Sequence, residues 1–247
     1  MPSTNNAHSL LRRHHLQRMH SPSRGLSAAM HIAGLASFAY SFNYLVVNPN
    51  PINDSYGWHL QYLTIIGLSL ATTTFFFALL SDVTLSPRLF VVKNALSVAS
   101  APLEVLISIL YWTLRAIDPA LVLPEWAPRL ALSADVTFHA LPAMLLVLDL
   151  LFFSPPWTIS ALPAVGLSGV IAFSYWFWVE LCYQHNGFYP YPLFEALTTP
   201  WRIVLFGGSA LVMSLSTYSL QWLYATVNGR PIASGETRAR PGDAKRG

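Results

Sequence analysis

The sequence predicts an all-α fold, an integral membrane bundle of six transmembrane helices. Three observations support this class. Only 10% of the 247 residues are charged, against roughly 25% in a soluble domain. The mean hydropathy is +0.44, and the sequence contains six apolar segments that each approach the roughly 20 residues needed to cross a bilayer. A chain with so few charges cannot cover a globular surface in water, so we expect it in a membrane.

Polar or Pro-containing stretches separate the apolar segments, and the eight Trp residues fit the aromatic belts of membrane interfaces. We therefore predict one transmembrane domain over residues 26–225. We predict that the basic N-terminal tail, residues 1–25, and the polar C-terminal tail, residues 226–247, are disordered. An Arg-rich transit peptide is the alternative for the first tail. The predicted spans are 26–47, 58–80, 90–113, 132–153, 162–183 and 202–225.

The even number of spans places both termini on the same side of the membrane. Lys and Arg concentrate on cytoplasmic loops, and the sequence follows this rule if both termini are cytoplasmic. Of its fourteen Lys and Arg residues, only Arg115, Arg129 and Arg202 then lie on the outer side. We predict that orientation, in an endomembrane that is most simply the endoplasmic reticulum.

The segment 133–157 is predominantly apolar, yet it carries Asp135, His139 and Asp149. Ionisable groups inside a bilayer are costly unless they pair or line a wet cavity, so each is a candidate for a functional site. Asp135 precedes His139 by one helical turn and shares its helix face. The carboxylate can accept a hydrogen bond from one ring nitrogen and leave the other free to act as a base. Pro142 is predicted to kink the helix just after His139.

Spans two and four both enter the membrane from its outer side, so positions equally far from their outer ends share a depth. Thr64 lies six residues after Trp58, and His139 lies six after Ser133. At 1.5 Å per residue, each lies roughly 9 Å below the outer surface. Thr64 could be a nucleophile or a structural residue. The structural alternative is open because a transmembrane Thr usually bonds its own backbone one turn back.

Several chemistries are excluded by the sequence. It has no Gly-x-Ser-x-Gly nucleophile motif, no Walker loop and no His-Glu-x-x-His motif. The single cysteine, Cys182, excludes an intrachain disulfide. The histidines of the spans and their edges, which are His31, His59, His139 and His185, are too few for a membrane di-iron site. We expect no metal, no cofactor and no nucleic-acid partner.

Short motifs follow one another in a specific order over residues 35–223. They are Tyr56-Gly57-Trp58, Tyr62-Leu63-Thr64, Leu80-Ser81-Asp82, Tyr111-Trp112, Pro124-Glu125-Trp126, His139 through Pro142, Trp178-Val179, Tyr191-Pro192 and Arg202-Ile203. In this order the motifs resemble the androgen-induced-gene-like family of multi-pass membrane proteins.

The resemblance implies a hydrolase with an intramembrane threonine nucleophile and a histidine, acting on fatty acid esters of hydroxy fatty acids. The threonine of the family falls on Thr64 and its histidine on His139. Animal members have two more residues between that histidine and the Leu-Pro pair than this chain has. A pair of histidines in their fifth span is replaced here by Tyr183-Gln184, which leaves the substrate preference open.

The resulting hypothesis is that His139, oriented by Asp135, takes a proton from Thr64 while the hydroxyl attacks a lipid ester. Water entering from the outer side would then hydrolyse the acyl-threonine.

The candidate substrate-binding residues reach the same outer level from other spans: Asn43, Glu180 and Arg202. Asn43 is the candidate donor to an oxyanion, and Arg202 is a candidate for holding a substrate carboxylate. An interhelical hydrogen bond for Asn43 and an interfacial anchor for Arg202 are the alternatives.

Two other classes of function stay open. A transporter or channel would use Asp135, His139, Glu180 and Glu104 to line a path, but the segment 144–148 below His139 is apolar, which favours a blind pocket. A catalytically silent scaffold is the other class. The sequence leaves the oligomeric state open.

Overall fold

A computed structural model describes residues 13–124 and 130–230 of the chain. Within these ranges the regular structure is entirely helical. Short 3-10 helices lie at Pro51–Asp54, Trp58–Gln61 and Pro119–Leu121. The α-helices are α1 (Leu26–Val47), α2 (Leu63–Thr84), α3 (Pro87–Ile117), α4 (Leu132–His139), α5 (Leu141–Phe153), α6 (Ala161–Asn186), α7 (Pro192–Ala196) and α8 (Thr199–Asn228).

Six membrane spans account for the described helices other than the short α7. By length and composition, α1, α2, α3, α6 and α8 can each cross a bilayer, and α4 with α5 forms a sixth span that is bent by 44°. Pro142 explains the bend, because it lacks the N–H that would bond to the carbonyl of Phe138. The predicted all-α bundle of transmembrane helices is therefore confirmed, and so is the kink after His139.

Helix α2 is central to the bundle, because it packs between α1 and α3. Helix α3 also packs against α8, which in turn packs against α6. The core under α2 is aromatic and aliphatic, with Phe38, Leu68 and Phe75 fully buried. Gly34 on α1 allows this approach, since any larger residue would collide with the ring of Phe75.

A buried network of charged side chains joins α1, α2, α3 and α5 at the end of the bundle where α1 begins and α8 ends. We call this the inner end and the opposite one the outer end. The imidazole of His31 lies between two carboxylates, with Nδ1 2.7 Å from Asp82 Oδ2 and Nε2 3.0 Å from Asp149 Oδ1. The Nζ atom of Lys93 lies 2.6 Å from Asp149 Oδ2. None of these four side chains is exposed. Asp149, a functional candidate from its sequence position, is therefore neutralised by two partners in a sealed part of the bundle.

The segment before α1 closes this inner end. The backbone N–H of Ser23 and the hydroxyl of Ser27 both donate to Asp82, and the N–H of Met19 donates to the carbonyl of Phe152. The N-terminal tail was predicted to be disordered. Its residues 1–12 lie outside the described residues, whereas residues 13–25 make these contacts because the buried carboxylate requires donors. At the other terminus α8 continues to Asn228, and residues 231–247 lie outside the described ranges.

The inner network should make Lys93 important for stability. We expect Lys93→Met to lower the free energy of unfolding by about 3 kcal/mol or more, because it removes one cation from a buried ion pair and strands charge on Asp149. The measurement is the thermal unfolding midpoint of the purified protein in detergent. Arg88→Met, on the same helix but at an exposed position, is the matched control. Equal losses for the two variants would contradict the assignment.

Candidate functional site

Two cavities lie side by side toward the outer end of the bundle. One, the apolar cavity, has a volume of about 100 Å³ and is enclosed mainly by side chains of α3, α6 and α8. The other, the polar cavity, has a volume of about 330 Å³ and is lined by α4, the start of α2 and the loop between α1 and α2. Thr64, Tyr111, Val122 and Tyr191 line both cavities, so these four residues mark the boundary between an apolar and a polar space.

Thr64 lies in the first turn of α2, and only 7% of the residue is exposed. Hydroxyl groups in transmembrane helices usually bond a backbone carbonyl one turn back. Further along α2, Ser69, Thr72, Thr73 and Thr74 all do so, at 2.6 to 2.8 Å. Among the described residues, the Thr64 hydroxyl makes no such bond to its own helix.

The reason is that Thr64 is the second residue of α2. The residue before the helix has an extended backbone, with ψ 127°, so no helical turn precedes Thr64 to offer a carbonyl one turn back. The carbonyls of Leu60 and Gln61 are instead bonded to α6, the first by Trp178 Nε1 at 2.9 Å and the second by the Tyr175 hydroxyl at 2.8 Å. These two bonds fix the chain that leads into α2, where Thr64 lines both cavities.

Tyr191 is the side chain that faces Thr64 from the loop before α7. Burial raises the pKa of the Tyr191 phenol, while hydrogen bonding to Thr64 and to the backbone of Leu63 opposes the rise. The phenol therefore stays neutral at physiological pH and can donate a hydrogen bond. The backbone of Thr64 and Leu63 at the start of α2 also hydrogen bonds with this phenol, so Tyr191 is fixed beside the Thr64 hydroxyl.

His139 ends α4 and carries a defined tautomer. Its Nδ1 atom lies 3.1 Å from both the carboxylate Oδ1 and the backbone oxygen of Asp135. Both oxygens are acceptors, so Nδ1 carries the proton and Nε2 keeps its lone pair. The ring stacks on Tyr111 with the centroids 3.4 Å apart, and Trp112 Nε1 donates to the His139 carbonyl. The imidazole is thus held on three sides, with a basic nitrogen available.

The carboxylate of Asp135 is buried and fully engaged. Its Oδ1 atom accepts a hydrogen bond from the Tyr111 hydroxyl at 2.5 Å, and its other oxygen pairs with Arg115. Arg115 itself is partly exposed toward the outer surface, while Asp135 is 1% exposed. A buried negative charge therefore lies beside the imidazole and would stabilise an imidazolium formed there.

Thr64 and His139 line the same polar cavity. Among the described residues, no hydrogen bond joins the two side chains. Catalytic hydrogen bonds are often long in a structure without substrate and tighten when it binds. Both side chains can therefore contact a ligand or a water molecule in this cavity.

The structure places the other sequence-predicted site residues outside both cavities. Asn43 is exposed on α1. Glu180 and Arg202 pair with each other at 3.0 Å, and Arg202 Nε also donates to the carbonyl of Phe194 at 2.9 Å. This pair fastens α6 and α8 to the loop that carries Tyr191.

Two further ionisable residues lie near the site. His59 is buried and lines the polar cavity. Glu104 is buried against Gly67 on α2, its Oε1 atom has no hydrogen-bond partner in the described structure, and it lines neither cavity. In the described part of the chain, no group of three or more His, Cys, Asp or Glu side chains could hold a metal ion.

Comparison with known proteins agrees with this architecture. The family model described as FAR-17a/AIG1-like protein matches residues 26–225. The chain belongs to the FAR-17a/AIG1-like family. This FAR-17a/AIG1-like protein is also 36% identical over 219 residues to a UPF0641 membrane protein of Schizosaccharomyces pombe, an alignment that covers 87% of this chain and 98% of the relative. No solved structure matches the chain. The resemblance seen in the sequence motifs is therefore confirmed.

Sequence reasoning on this FAR-17a/AIG1-like protein did not find Tyr111, Arg115 or Tyr191 as parts of the site. Tyr111 and Tyr191 belong to the motifs that carry the family resemblance, which was the available signal. Arg115 had been counted only as an outer positive charge. It lies one turn after Tyr111 on α3, a spacing that places both side chains on one helix face.

The pairing of Asp135 with Arg115 predicts an asymmetric response to mutation. We expect Arg115→Met to lower the free energy of unfolding by about 3 kcal/mol, because the buried carboxylate loses its cation. Asp135→Asn should cost less, since the released guanidinium can turn toward water. Thermal unfolding of the purified variants measures both. The double variant should resemble Asp135→Asn, and an Arg115→Met protein as stable as Asp135→Asn would contradict the prediction.

Proposed function

We propose that this protein is an intramembrane lipid ester hydrolase with Thr64 as nucleophile and His139 as general base. The observation that carries the proposal is the Thr64 hydroxyl, which lies at the boundary of an apolar and a polar cavity and, in the first turn of α2, has no helical turn before it to supply a backbone acceptor. An imidazole with a free basic nitrogen lines the same cavity. A threonine needs such a base, because its hydroxyl is a weak nucleophile at neutral pH.

In the first step, His139 Nε2 takes the proton of Thr64 as the threonine oxygen attacks the ester carbonyl carbon. The carbonyl electron pair moves onto its oxygen. When the carbonyl re-forms, the ester C–O bond breaks and the leaving alkoxide takes the proton from Nε2. The products of this step are an acyl-threonine and a free alcohol, and Asp135 stabilises the transient imidazolium.

In the second step, water in the polar cavity gives a proton to Nε2, and its oxygen attacks the acyl-threonine. Collapse breaks the bond to Thr64, whose oxygen recovers the proton, and a fatty acid is released. The division of space suits this chemistry. The first few carbons of the acyl chain would enter the apolar cavity of about 100 Å³, whereas the alcohol and the attacking water would occupy the polar one.

The negative charge on the carbonyl oxygen requires hydrogen-bond donors fixed before the reaction. The Tyr191 hydroxyl is the proposed donor. It lies beside Thr64, and the positive end of the α2 dipole adds to its effect. This proposal moves the role from Asn43, which is exposed, to a group that adjoins the nucleophile.

A transporter or channel needs a polar path through the bundle, and the described structure favours a closed pocket instead. Glu104 lines neither cavity, and the inner end is closed by the paired charges around His31. We propose an endoplasmic reticulum location with both termini cytoplasmic, so that the site opens toward the lumenal leaflet. Fatty acid esters of hydroxy fatty acids are the first substrates to test.

The nucleophile assignment predicts that Thr64→Ala abolishes both covalent labelling by a fluorophosphonate probe and ester turnover. His139→Ala should lower turnover by about 10²- to 10⁴-fold, the usual contribution of a general base. Gel fluorescence and release of fatty acid from membranes that contain each variant measure these effects. Thr73→Ala, on an exposed face of the same helix, is the control that should keep both activities. Labelling that survives in Thr64→Ala would remove the assignment.

A further inference from the structure

The polar cavity contains a second imidazole, that of His59, which the mechanism above does not use. His59 lies in the 3-10 helix that precedes α2, and 1% of the residue is exposed. It lines the same cavity as Thr64 and His139. The residue is therefore within the space proposed for the alcohol part of the ester.

The hydrogen bonds around His59 define which ring nitrogen carries its proton. The Nε2 atom lies 3.2 Å from Asn53 Oδ1. That oxygen also accepts a hydrogen bond from the backbone N–H of Asn50 at 2.8 Å, which identifies it as the oxygen of the amide. Nε2 must therefore carry a hydrogen and donate it. The Nδ1 atom keeps its lone pair and has no partner among the described residues.

The ring of His59 is also held in position and uncharged. It packs edge-on against Trp58 and is stacked near Tyr62. Burial lowers the pKa of His59 to about 4, so the imidazole is neutral throughout the physiological range. A neutral imidazole with a fixed tautomer presents one hydrogen-bond acceptor to the cavity. A hydroxyl group of a ligand is the natural partner of such an acceptor.

We infer that His59 Nδ1 accepts a hydrogen bond from a free hydroxyl on the alcohol part of the substrate. The preferred substrates are then neutral esters whose alcohol carries a further hydroxyl, such as a monoacylglycerol. This inference rests on the proposed function for the identity of the reaction, but the hydroxyl-binding site itself does not require turnover. It departs from the fatty acid esters of hydroxy fatty acids that the family resemblance implies, because the alcohol part of those esters carries a carboxylate in place of a free hydroxyl.

Electrostatics favours a neutral alcohol over one that carries a carboxylate. None of the described residues that line the polar cavity is a Lys or an Arg. The nearby cations Arg115 and Arg202 are committed to Asp135 and Glu180. A carboxylate brought to His59 would meet the lone pair of Nδ1 instead of a donor, whereas a hydroxyl satisfies it. Unpaired polar groups in a buried site reject ligands that lack the complementary group.

The test compares two ethers that cannot be hydrolysed, 1-O-hexadecylglycerol and its 2,3-di-O-methyl derivative. We expect the free diol to bind wild-type protein in lipid nanodiscs about tenfold more tightly, measured as the ligand-dependent rise in the thermal unfolding midpoint. Equal affinity of the wild type for the two ethers would overturn the inference, and that comparison needs no variant.

Two substitutions at position 59 separate the ring nitrogens. His59→Gln can keep a bond to Asn53 but lacks an acceptor at the Nδ1 position, so it should lose the preference for the diol. His59→Asn places an amide oxygen near the Nδ1 position and should keep part of the preference. Retention of the full preference by His59→Gln would overturn the role of Nδ1.

The outcome is separable from that of the proposed function. Labelling that survives in Thr64→Ala, together with a His59-dependent diol preference, would refute the nucleophile and leave the hydroxyl site in place. Thr64-dependent hydrolysis of 1-monooleoylglycerol and methyl oleate with equal efficiency, and equal binding of the two ethers, would refute only the hydroxyl site.

Discussion

Within a bilayer, each polar group of the bundle must find its partner inside the protein or in a cavity, because the surrounding hydrocarbon offers none. This constraint accounts for the buried charges at both ends. Asp149 is matched by His31 and Lys93, and Asp135 by Arg115 and Tyr111. By the same constraint, a buried polar atom without a partner in the protein is a candidate to bind a ligand or water. Among the described residues, one nitrogen of His59 and one of His139 are such atoms, and both histidines line the polar cavity. Glu104 Oε1 is another such atom, and it lies outside both cavities.

The two ends of the bundle use similar residues to opposite effect. At the inner end both nitrogens of the His31 imidazole contact a carboxylate. Neither nitrogen is free, and the ring joins the helices that carry the two carboxylates. At the outer end His139 has a carboxylate on one nitrogen only, and Tyr111 covers one face of the ring. The difference between a structural and a chemically available histidine therefore lies in the second nitrogen. Burial alone does not distinguish the two.

Helical rise is fixed and each span starts near a recognisable boundary, so the sequence could predict a common level for Thr64 and His139. Both residues line one cavity, while their depth in the membrane stays a prediction. Rotation about a helix axis was harder to predict in spans that are apolar on all sides. Glu180 and Arg202 were placed at the right ends of their spans, but they turn toward each other and line neither cavity.

The directions of loop side chains could not be predicted from the sequence for a different reason. His59 and Tyr191 reach the cavities from segments with no helical period, so spacing in the sequence carries no information about their direction. Their positions depend on long-range hydrogen bonds, such as that of Asn186 to Gln61 across the outer loops. The same bonds bring Trp178 and Tyr175 to the carbonyls before α2. The loop contacts that could not be predicted thus fix the chain that leads into α2, so a disturbance of the outer loops would shift Thr64 without contacting it.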